Sequence, residues 1–312
     1  MESVTDSGAL IVTGADQRYW RCLWQFLGNV EHKGLFCRSH FVAFDLGLET
    51  TTLARLQARY PWCEFRRFAF DEYPAHVAMA AGSSALKPLI ISQLMEETYG
   101  LLFWFDSATL IRTSDLSFLE AIIKRNGIYV LRGQTPLERR CDPDALARFR
   151  VPFFIRRKPE LAAGALGFNS NEPKIRALVR EWAAHALIKE HIAPRIPRLP
   201  FHRPEQALLT WLVYQGEDSG ILRLTGEEID ISSCAPVRWM SSRNFIPSGA
   251  PLWASALYRL CYAVYKTVDQ MLWRLIHLRG SRLNGLHRRI KEHFSVLVHD
   301  GAGNVRRLRP PS

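Results

Sequence analysis

The alternation of strand and helix signals along the first 130 residues restricts the fold of this 312-residue chain more than any other feature. Short runs of apolar and β-branched residues predict strands at 10–13, 40–44, 63–70, 101–105 and 128–131. Apolar side chains at helical spacing predict helices between them, at 17–27, 51–60, 88–99 and 116–125. Strands that alternate with helices predict an α/β fold, with a mostly parallel sheet flanked by helices.

Glycine and proline mark the predicted ends of two helices. The first helix is expected to stop at Gly28, and the third to open on Pro88. Residues 134–160 are polar and arginine-rich and contain four prolines, so we expect a mobile segment over the site. An apolar stretch follows at 161–168, and further helices are predicted at 172–188 and 205–214.

The positive charge of the chain is concentrated near its end. The formal net charge is +11, but residues 1–250 hold 30 Lys/Arg against 27 Asp/Glu, a net of only +3. Residues 251–312 hold 11 Lys/Arg against three acids, a net of +8. This distribution predicts two parts: a nucleotide-sugar-binding catalytic domain at 1–250, and a basic helical tail at 251–312 that has an anionic partner.

Cysteine usage and the first residues bear on the compartment. The six cysteines form no C-x-x-C pair, so we expect reduced thiols. The first ten residues have neither the basic start nor the apolar run of a signal peptide, and no stretch of ~18 apolar residues predicts a membrane span. The expected location is the cytoplasm.

The segment after the first predicted strand, TGADQRY at 13–19, is the first candidate binding site, because ligands of open α/β sheets bind beyond the carboxyl ends of the strands. Its single glycine supports neither a dinucleotide fingerprint nor a P-loop. The carboxylate of Asp16 could accept a hydrogen bond from a nucleoside, and Tyr19 could stack on its base. The alternative is a helix-capping aspartate beside a core tyrosine.

The segment after the central strand offers a second candidate. Asp106 ends a wholly apolar run, and a carboxylate at that position must be solvated, hydrogen-bonded or metal-bound. It could anchor a metal–diphosphate, since Mg²⁺ takes few carboxylates and completes its shell with phosphate oxygens and water. A capping or loop aspartate is the alternative.

Four short motifs follow one another along the chain: FDLGL at 44–48, YP at 73–74, LKPLII at 86–91 and LFWFDSA at 102–108. In this order and spacing they resemble the nucleotide-diphospho-sugar transferase superfamily, and in particular relatives of glycosyltransferase family eight. The resemblance covers about residues 9–215. It implies a GT-A fold that binds a nucleoside diphosphate sugar, usually with a divalent metal such as Mn²⁺ or Mg²⁺.

The resemblance also implies roles for residues of the first and central strands. Thr13, Asp16 and Tyr19 would face the nucleoside, as the matching segment does in family eight. Asp106, with Ser107 beside it, matches the first acid of the family's D-x-D motif and would bind the metal and the diphosphate.

Further roles come from later positions that match the family. Lys87 would face the sugar phosphate or the donor sugar, and Gly164 would line the donor sugar. Glu205 and Gln206 resemble the family's Asp-Gln pair near the reacting carbon, although a plain helix start also explains an acid at that point. The second acid of D-x-D is Ala108 here, which puts metal dependence in doubt.

The tail carries one cationic stripe on an otherwise apolar helix. Between 253 and 278 the polar residues fall on one helical face: Ser255, Arg259, Lys266, Gln270, Arg274 and His277. Aromatic residues with a cationic stripe suit a helix that lies on an anionic bilayer. The alternative is a helix that packs on the catalytic domain. Nucleic acid is disfavoured, because aromatic residues and leucines outnumber the polar residues that would contact phosphate.

These observations predict a glycosyltransferase. It would move a sugar from a nucleoside diphosphate sugar, UDP-sugar being the expected donor, to a glycan or lipid-linked acceptor at the cytosolic membrane face. Two alternatives stay open at this point. One is a catalytically degenerate scaffold that binds sugar nucleotides, and the other is an adaptor that binds a membrane or a polyanion.

Overall fold

The computed structural model describes residues 9–78, 84–97, 100–111, 113–192 and 204–224, together with three short strands farther along the chain. Its strands are β1 (Leu10–Ala15), β2 (His40–Asp45), β3 (Cys63–Arg67), β4 (Leu101–Phe105), β5 (Thr109–Ile111), β6 (Ile128–Pro136), β7 (Pro159–Asn169), β8 (Trp239–Ser241), β9 (Leu297–His299) and β10 (Val305–Arg307). Its helices are α1 (Trp20–His32), α2 (Thr50–Arg59), α3 (Leu86–Glu97), α4 (Ser117–Asn126), α5 (Pro143–Arg148), α6 (Phe153–Arg156), α7 (Pro173–Ala186), α8 (Lys189–Ile192) and α9 (Pro204–Asp218).

Six strands form the central sheet in the order β3-β2-β1-β4-β7-β6. β3, β2, β1 and β4 pair in parallel, and β7 runs antiparallel to both β4 and β6. β4 is apolar along its length because both of its faces are covered, as in the centre of a parallel sheet. The predicted α/β class, with a mostly parallel sheet flanked by helices, is confirmed.

Helices cover both faces of this sheet and create two cores. One core joins α3, α7 and α9 to one set of inward-facing strand residues, including Val12 and Trp104. The other joins α1, α2 and α4 to the alternate set, including Ile11 and Phe103. Successive residues of β1 and β4 therefore enter opposite cores, as the period of two of a strand requires.

The prediction that the first helix ends at Gly28 is wrong. α1 continues through Gly28 to His32. A Cβ at position 28 would stand 3.3 Å from the hydroxyl of Tyr60, which donates a hydrogen bond to the carbonyl of Trp24 at 2.9 Å. Gly28 therefore leaves room beside α1 for the side chain of Tyr60. The packing of Tyr60 offsets the cost of a glycine within a helix.

The prediction that the third helix opens on Pro88 is also wrong by two residues. α3 begins at Leu86, and Pro88 lies within its first turn, where the backbone N–H that proline lacks has no partner inside a helix. This start places Lys87 in the first turn of α3, at the end of the helix that approaches the sheet edge.

Residues 134–160, expected as a mobile segment, form ordered elements. They contain the end of β6, the helices α5 and α6 and the start of β7. Apolar residues of this segment join the core that contains α3, namely Leu137, Leu146, Val151 and Ile155. The polar composition hid these four buried positions because they are spaced irregularly between arginines and prolines.

The chain divides into two compact units, 1–240 and 241–312. In the second unit the structure describes β9 and β10, which pair antiparallel. The amphipathic stripe predicted between 253 and 278 lies outside the described residues. The division into a catalytic domain at 1–250 and a basic helical tail at 251–312 stays a prediction. Across the described ranges, no helix is both long enough and apolar enough to cross a bilayer.

Candidate active site

The strand order reverses at β1, and this reversal marks the candidate site. From β1 the chain builds outward through β2 to β3, then returns to add β4 on the other side of β1. Ligands of open α/β sheets bind in the crevice at such a switch point, beyond the carboxyl ends of the two strands. Asp16 directly follows β1 and Asp106 directly follows β4. Both predicted ligand-binding acids therefore border this crevice.

On the β4 side, the ammonium group of Lys87 is the centre of a charged cluster. Its Nζ lies 2.9 Å from Oδ1 of Asp106 and 3.6 Å from Oε1 of Glu205. The same Nζ donates a hydrogen bond to the carbonyl of Ala163 at 2.9 Å and lies 5.6 Å from the centre of the Trp104 ring. One lysine thus connects α3, β4, β7 and the first turn of α9.

The three charged side chains of this cluster differ in their access to solvent. The side chain of Asp106 is 32% exposed, whereas those of Lys87 and Glu205 are 7% and 11% exposed. Two carboxylates therefore lie around one ammonium. Asp106 is the member that a ligand in the crevice can reach, and the Lys87 ammonium lies beside it.

The backbone around Asp106 fixes the direction of its carboxylate. Its N–H donates to the carbonyl of Gly164 at 2.9 Å, and its own carbonyl accepts from the N–H of Thr109 at 2.8 Å. The indole Nε1 of Trp104 donates to Oδ1 of Asp106 at 2.9 Å. Ser107 is buried in the same turn. This turn therefore holds the carboxylate rigidly above the end of β4.

Gln206 lies beside the cluster and is only 4% exposed. Its Nε2 donates to Oε2 of Glu160 at 2.6 Å, and its Oε1 accepts from the N–H of Ala163 at 3.4 Å. Glu160 in turn lies 3.2 Å from Nε of Arg140. Gln206 thus connects α9 to β7, the strand that carries Gly164. A ligand-contacting role for Gln206 stays a prediction.

On the β1 side, Asp16 makes local contacts. Its Oδ1 accepts hydrogen bonds from the N–H groups of Arg18 and Tyr19, at 3.1 and 3.2 Å, and its Oδ2 pairs with Nε of Arg18 at 2.8 Å. The hydrogen bond to Asp16 raises the pKa of the Arg18 guanidinium. Tyr19 is half-buried just before α1 begins. The carboxylate therefore shapes the loop that carries Tyr19.

The FDLGL motif supports this loop from the neighbouring strand. Asp45 accepts hydrogen bonds from the N–H groups of Gly47 and Leu48, and Gly47 has a φ of 113°, a conformation that favours glycine. The carbonyl of Gly47 accepts a bond from the N–H of Gln17 at 3.2 Å. The motif therefore acts as a brace for the segment after β1.

Thr13 is 1% exposed, and its hydroxyl makes no hydrogen bond to any residue that the structure describes. A buried hydroxyl without a partner costs free energy. Thr13 faces the core that contains α1, because it alternates with Val12, which faces the α3 side. It thus lies on the opposite face of the sheet from the Lys87 cluster.

The predicted site residues therefore form two groups. Tertiary contacts bring together Lys87, Asp106, Gly164, Glu205 and Gln206 on the β4 side. Thr13, Asp16 and Tyr19 belong to β1 and the loop after it. Sequence reasoning missed two side chains that contact this group, Trp104 and Glu160. Trp104 reads as part of an apolar strand, and Glu160 lies at the end of the segment 134–160 that was expected to be mobile.

The described residues around Asp106 do not fit the predicted divalent metal. Oδ1 of Asp106 already accepts hydrogen bonds from Lys87 and Trp104, and a metal ion bound there would stand beside the Lys87 ammonium. The position of the second D-x-D acid is Ala108, a buried apolar residue. Within the described ranges, no three His, Cys, Asp or Glu side chains are grouped to hold a metal.

No family profile and no curated protein matches the chain. Among solved structures, the bifunctional glycosyltransferase WbbM is similar with a TM-score of 0.45 and 14% identity, over 72% of this chain and 39% of that chain. The galactosyltransferase LgtC, in complex with donor and acceptor sugar analogs, gives a TM-score of 0.41 and 16% identity, over 65% of this chain and 70% of that chain. Mouse xyloside xylosyltransferase 1 gives 0.40 and 11%, over 71% and 85%.

The three proteins are named as glycosyltransferases. Each TM-score lies below 0.5, so these similarities carry no argument about what this chain does or which family it belongs to. A specific relation to family eight stays a prediction. The chain spans 39% of the length of WbbM.

Proposed function

We propose that this chain transfers a sugar from a nucleoside diphosphate sugar to a hydroxyl group of a glycan or lipid-linked acceptor, at the cytosolic face of a membrane. The observation that supports this proposal is that charged side chains from α3, the end of β4 and α9 meet at the switch point of the sheet: Lys87, Asp106 and Glu205. Burying charged side chains costs free energy. A group of them in a crevice is therefore typical of an active site, where the charges serve binding or catalysis.

In this proposal the nucleoside lies on the β1 side of the crevice. The ring of Tyr19 stacks on the base, and the carboxylate of Asp16 holds the loop while it accepts a hydrogen bond from the nucleoside. UDP-sugar is the proposed donor. The half-buried position of Tyr19 supports stacking, since one face of its ring can stay in contact with solvent.

The sugar and the diphosphate lie on the β4 side. The bond between the anomeric carbon and the phosphate oxygen breaks, and its electron pair leaves with the diphosphate. The acceptor oxygen bonds to the same carbon and gives up its proton. Asp106, the exposed carboxylate of the cluster, accepts hydrogen bonds from the sugar or takes that proton. Lys87 supports the ionised Asp106 and adds positive charge near the leaving group.

The test compares two aspartates that differ in location. Asp106→Asn should lower transfer from a UDP-sugar at least tenfold, which corresponds to ~1.4 kcal/mol of barrier. Asp71→Asn, in the exposed 3-10 turn Phe70–Glu72, is the matched control and should leave the rate unchanged. Equal rates for both variants and the wild-type chain would remove Asp106 from the reaction.

A sugar-nucleotide-binding scaffold without catalysis is the second candidate. It is favoured by Ala108, which replaces the second acid of D-x-D, and by the close Lys87–Asp106 pair, which neutralises the first. Thermal protection by UDP-sugars with neither hydrolysis nor transfer, across a panel of acceptors, would establish this candidate in place of the enzyme.

A further inference from the structure

Two phenylalanines on the short helix α6 project from the first unit. Phe153 is 67% exposed and Phe154 is 48% exposed, and Phe153 is the most exposed large apolar side chain among the described residues. Both rings follow Val151, which is buried in the core, so the segment is anchored while its tip faces solvent. Exposed adjacent aromatic rings of this kind mark an interaction surface.

Basic residues lie close to these two rings. Residues 145–159 contain no acid and hold five basic residues: Arg148, Arg150, Arg156, Arg157 and Lys158. The guanidinium of Arg157 lies 5.3 Å from the centre of the Phe153 ring, and Nζ of Lys158 lies 6.0 Å from the centre of the Phe154 ring. We call residues 148–158 the α6 surface. It combines exposed apolar area with a local excess of positive charge.

Arg150 provides a second, independent observation. Its φ of 50° is left-handed, at the end of α5, where the N–H of Val151 bonds to the carbonyl of Leu146 and the N–H of Arg150 bonds to that of Ala147. Glycine is the usual residue at this position of a helix end, because a side chain there is strained. The chain keeps an exposed arginine at a position whose backbone favours glycine.

The α6 surface lies at the edge of the sheet that carries the candidate site. β7 begins directly after it, at Pro159, and runs antiparallel to β4, with Ala165 opposite Phe105. The residues from 159 to 164 therefore extend beyond the carboxyl end of β4. Lys158 also pairs with Glu217, in the last turn of α9.

We infer that the α6 surface docks the first unit on an anionic lipid bilayer, with Phe153 and Phe154 inserted among the headgroups and the arginines bound to lipid phosphates. A bilayer surface uses both features, because aromatic rings lie at its interface while cations attract anionic lipids. A nucleic acid would use the cations but needs no apolar tip. The inference rests on the proposed function in one respect: a site that opens beside the membrane would receive a lipid-linked acceptor.

The experiment uses the full chain and vesicles of phosphatidylcholine with about 30% phosphatidylglycerol. Phe153→Ser with Phe154→Ser should weaken vesicle binding about tenfold in a flotation assay. Ile221→Ser, which removes another exposed apolar side chain, is the matched control and should change binding less than about twofold. Hydrogen exchange of the wild-type chain should slow within 148–158 when vesicles are added, and this local reading does not depend on other membrane contacts.

Arg150→Gly separates a lipid-binding role from a structural one. Glycine suits the backbone at this position, so the melting temperature should hold or rise, while vesicle binding should fall about threefold with the loss of one cation. Arg55→Gln, in the exposed face of α2, is the charge control.

Three outcomes would overturn the inference. One is unchanged flotation of the phenylalanine variant together with unchanged exchange at 148–158. Another is equal loss of binding with Ile221→Ser. The third is vesicle binding that heparin abolishes while the phenylalanines make no difference, which would assign the surface to a soluble polyanion. None of these readings needs a donor sugar, so the proposed transferase activity can fail or stand independently of them.

Discussion

The loops that follow β1 and β4 end at the same crevice but are held in different ways. The side-chain contacts of Asp16 reach residues two or three positions away, Arg18 and Tyr19. Asp106 instead contacts Lys87, nineteen positions earlier in the chain, and hydrogen-bonds through its backbone to Gly164. The carboxylate of Asp16 is therefore held within its own loop, whereas that of Asp106 is held only when four elements have packed together. Substitutions in the Asp106 cluster should therefore affect several elements of the fold, whereas those at Asp16 should act within its own loop.

The largest expected effect is at the centre of the β4 cluster. Lys87→Met removes the cation that pairs with both Asp106 and Glu205, so we expect a loss of about 3 kcal/mol in unfolding free energy. Lys124→Met is the control, because Lys124 is exposed and its pair with Glu120 is a surface pair worth well under ~1 kcal/mol. Urea denaturation of both variants measures the difference.

A double variant tests whether the cluster acts as a unit. Adding Asp106→Asn to Lys87→Met should restore part of the lost stability, with a coupling of ~1–2 kcal/mol, because one of the two carboxylates that Lys87 contacts becomes neutral. Adding Asp16→Asn instead should be additive. Additive behaviour in both cases would erase the proposed contrast between the two loops.

Ligand binding should depend strongly on the β1 loop. UDP should protect the chain against thermal unfolding, and Tyr19→Ala should remove ~1–3 kcal/mol of that binding, the usual contribution of an aromatic ring stacked on a base. Tyr19→Phe keeps the ring and serves as the control. If both variants show the wild-type shift in melting temperature, the nucleoside binds elsewhere.

A smaller and purely local effect is expected at Asp16. Asp16→Ala loses the hydrogen bonds to the N–H groups of Arg18 and Tyr19 and should lower stability by about 1 kcal/mol. Asp16→Asn keeps an acceptor for these groups and should lose less. A loss as large as that of Lys87→Met would show that Asp16 also has long-range partners and that the two loops are alike.

No effect is expected from metal removal. Lys87 already neutralises Asp106, so EDTA should leave the UDP-induced thermal shift unchanged, and Mn²⁺ should not enlarge it. Isothermal titration of UDP with and without Mn²⁺ checks the same point. A rise in affinity with Mn²⁺ that Asp106→Asn abolishes would restore the metal site that the residue order first suggested.

The sequence by itself determined the α/β class and the positions of the two acids. Strand and helix periods are local properties, so β4 was predicted with both of its ends correct, and the position of Asp106 follows from its end. β1 was predicted at 10–13 but runs two residues farther, to Ala15, so that Asp16 follows it directly. The failures at Gly28 and Pro88 have the same origin: the packing of Tyr60 against α1 and the start of α3 depend on neighbours that are distant in the sequence.

Only the tertiary structure decided what surrounds each acid. The resemblance assigns Lys87 to the sugar phosphate or the donor sugar, but only packing shows that it is buried between Asp106 and Glu205. Likewise, α6 reads as part of a polar segment, although it carries two exposed phenylalanines on a buried anchor. Charge pairing and exposure depend on which elements meet, and that information belongs to the order of strands in the sheet rather than to any local pattern of residues.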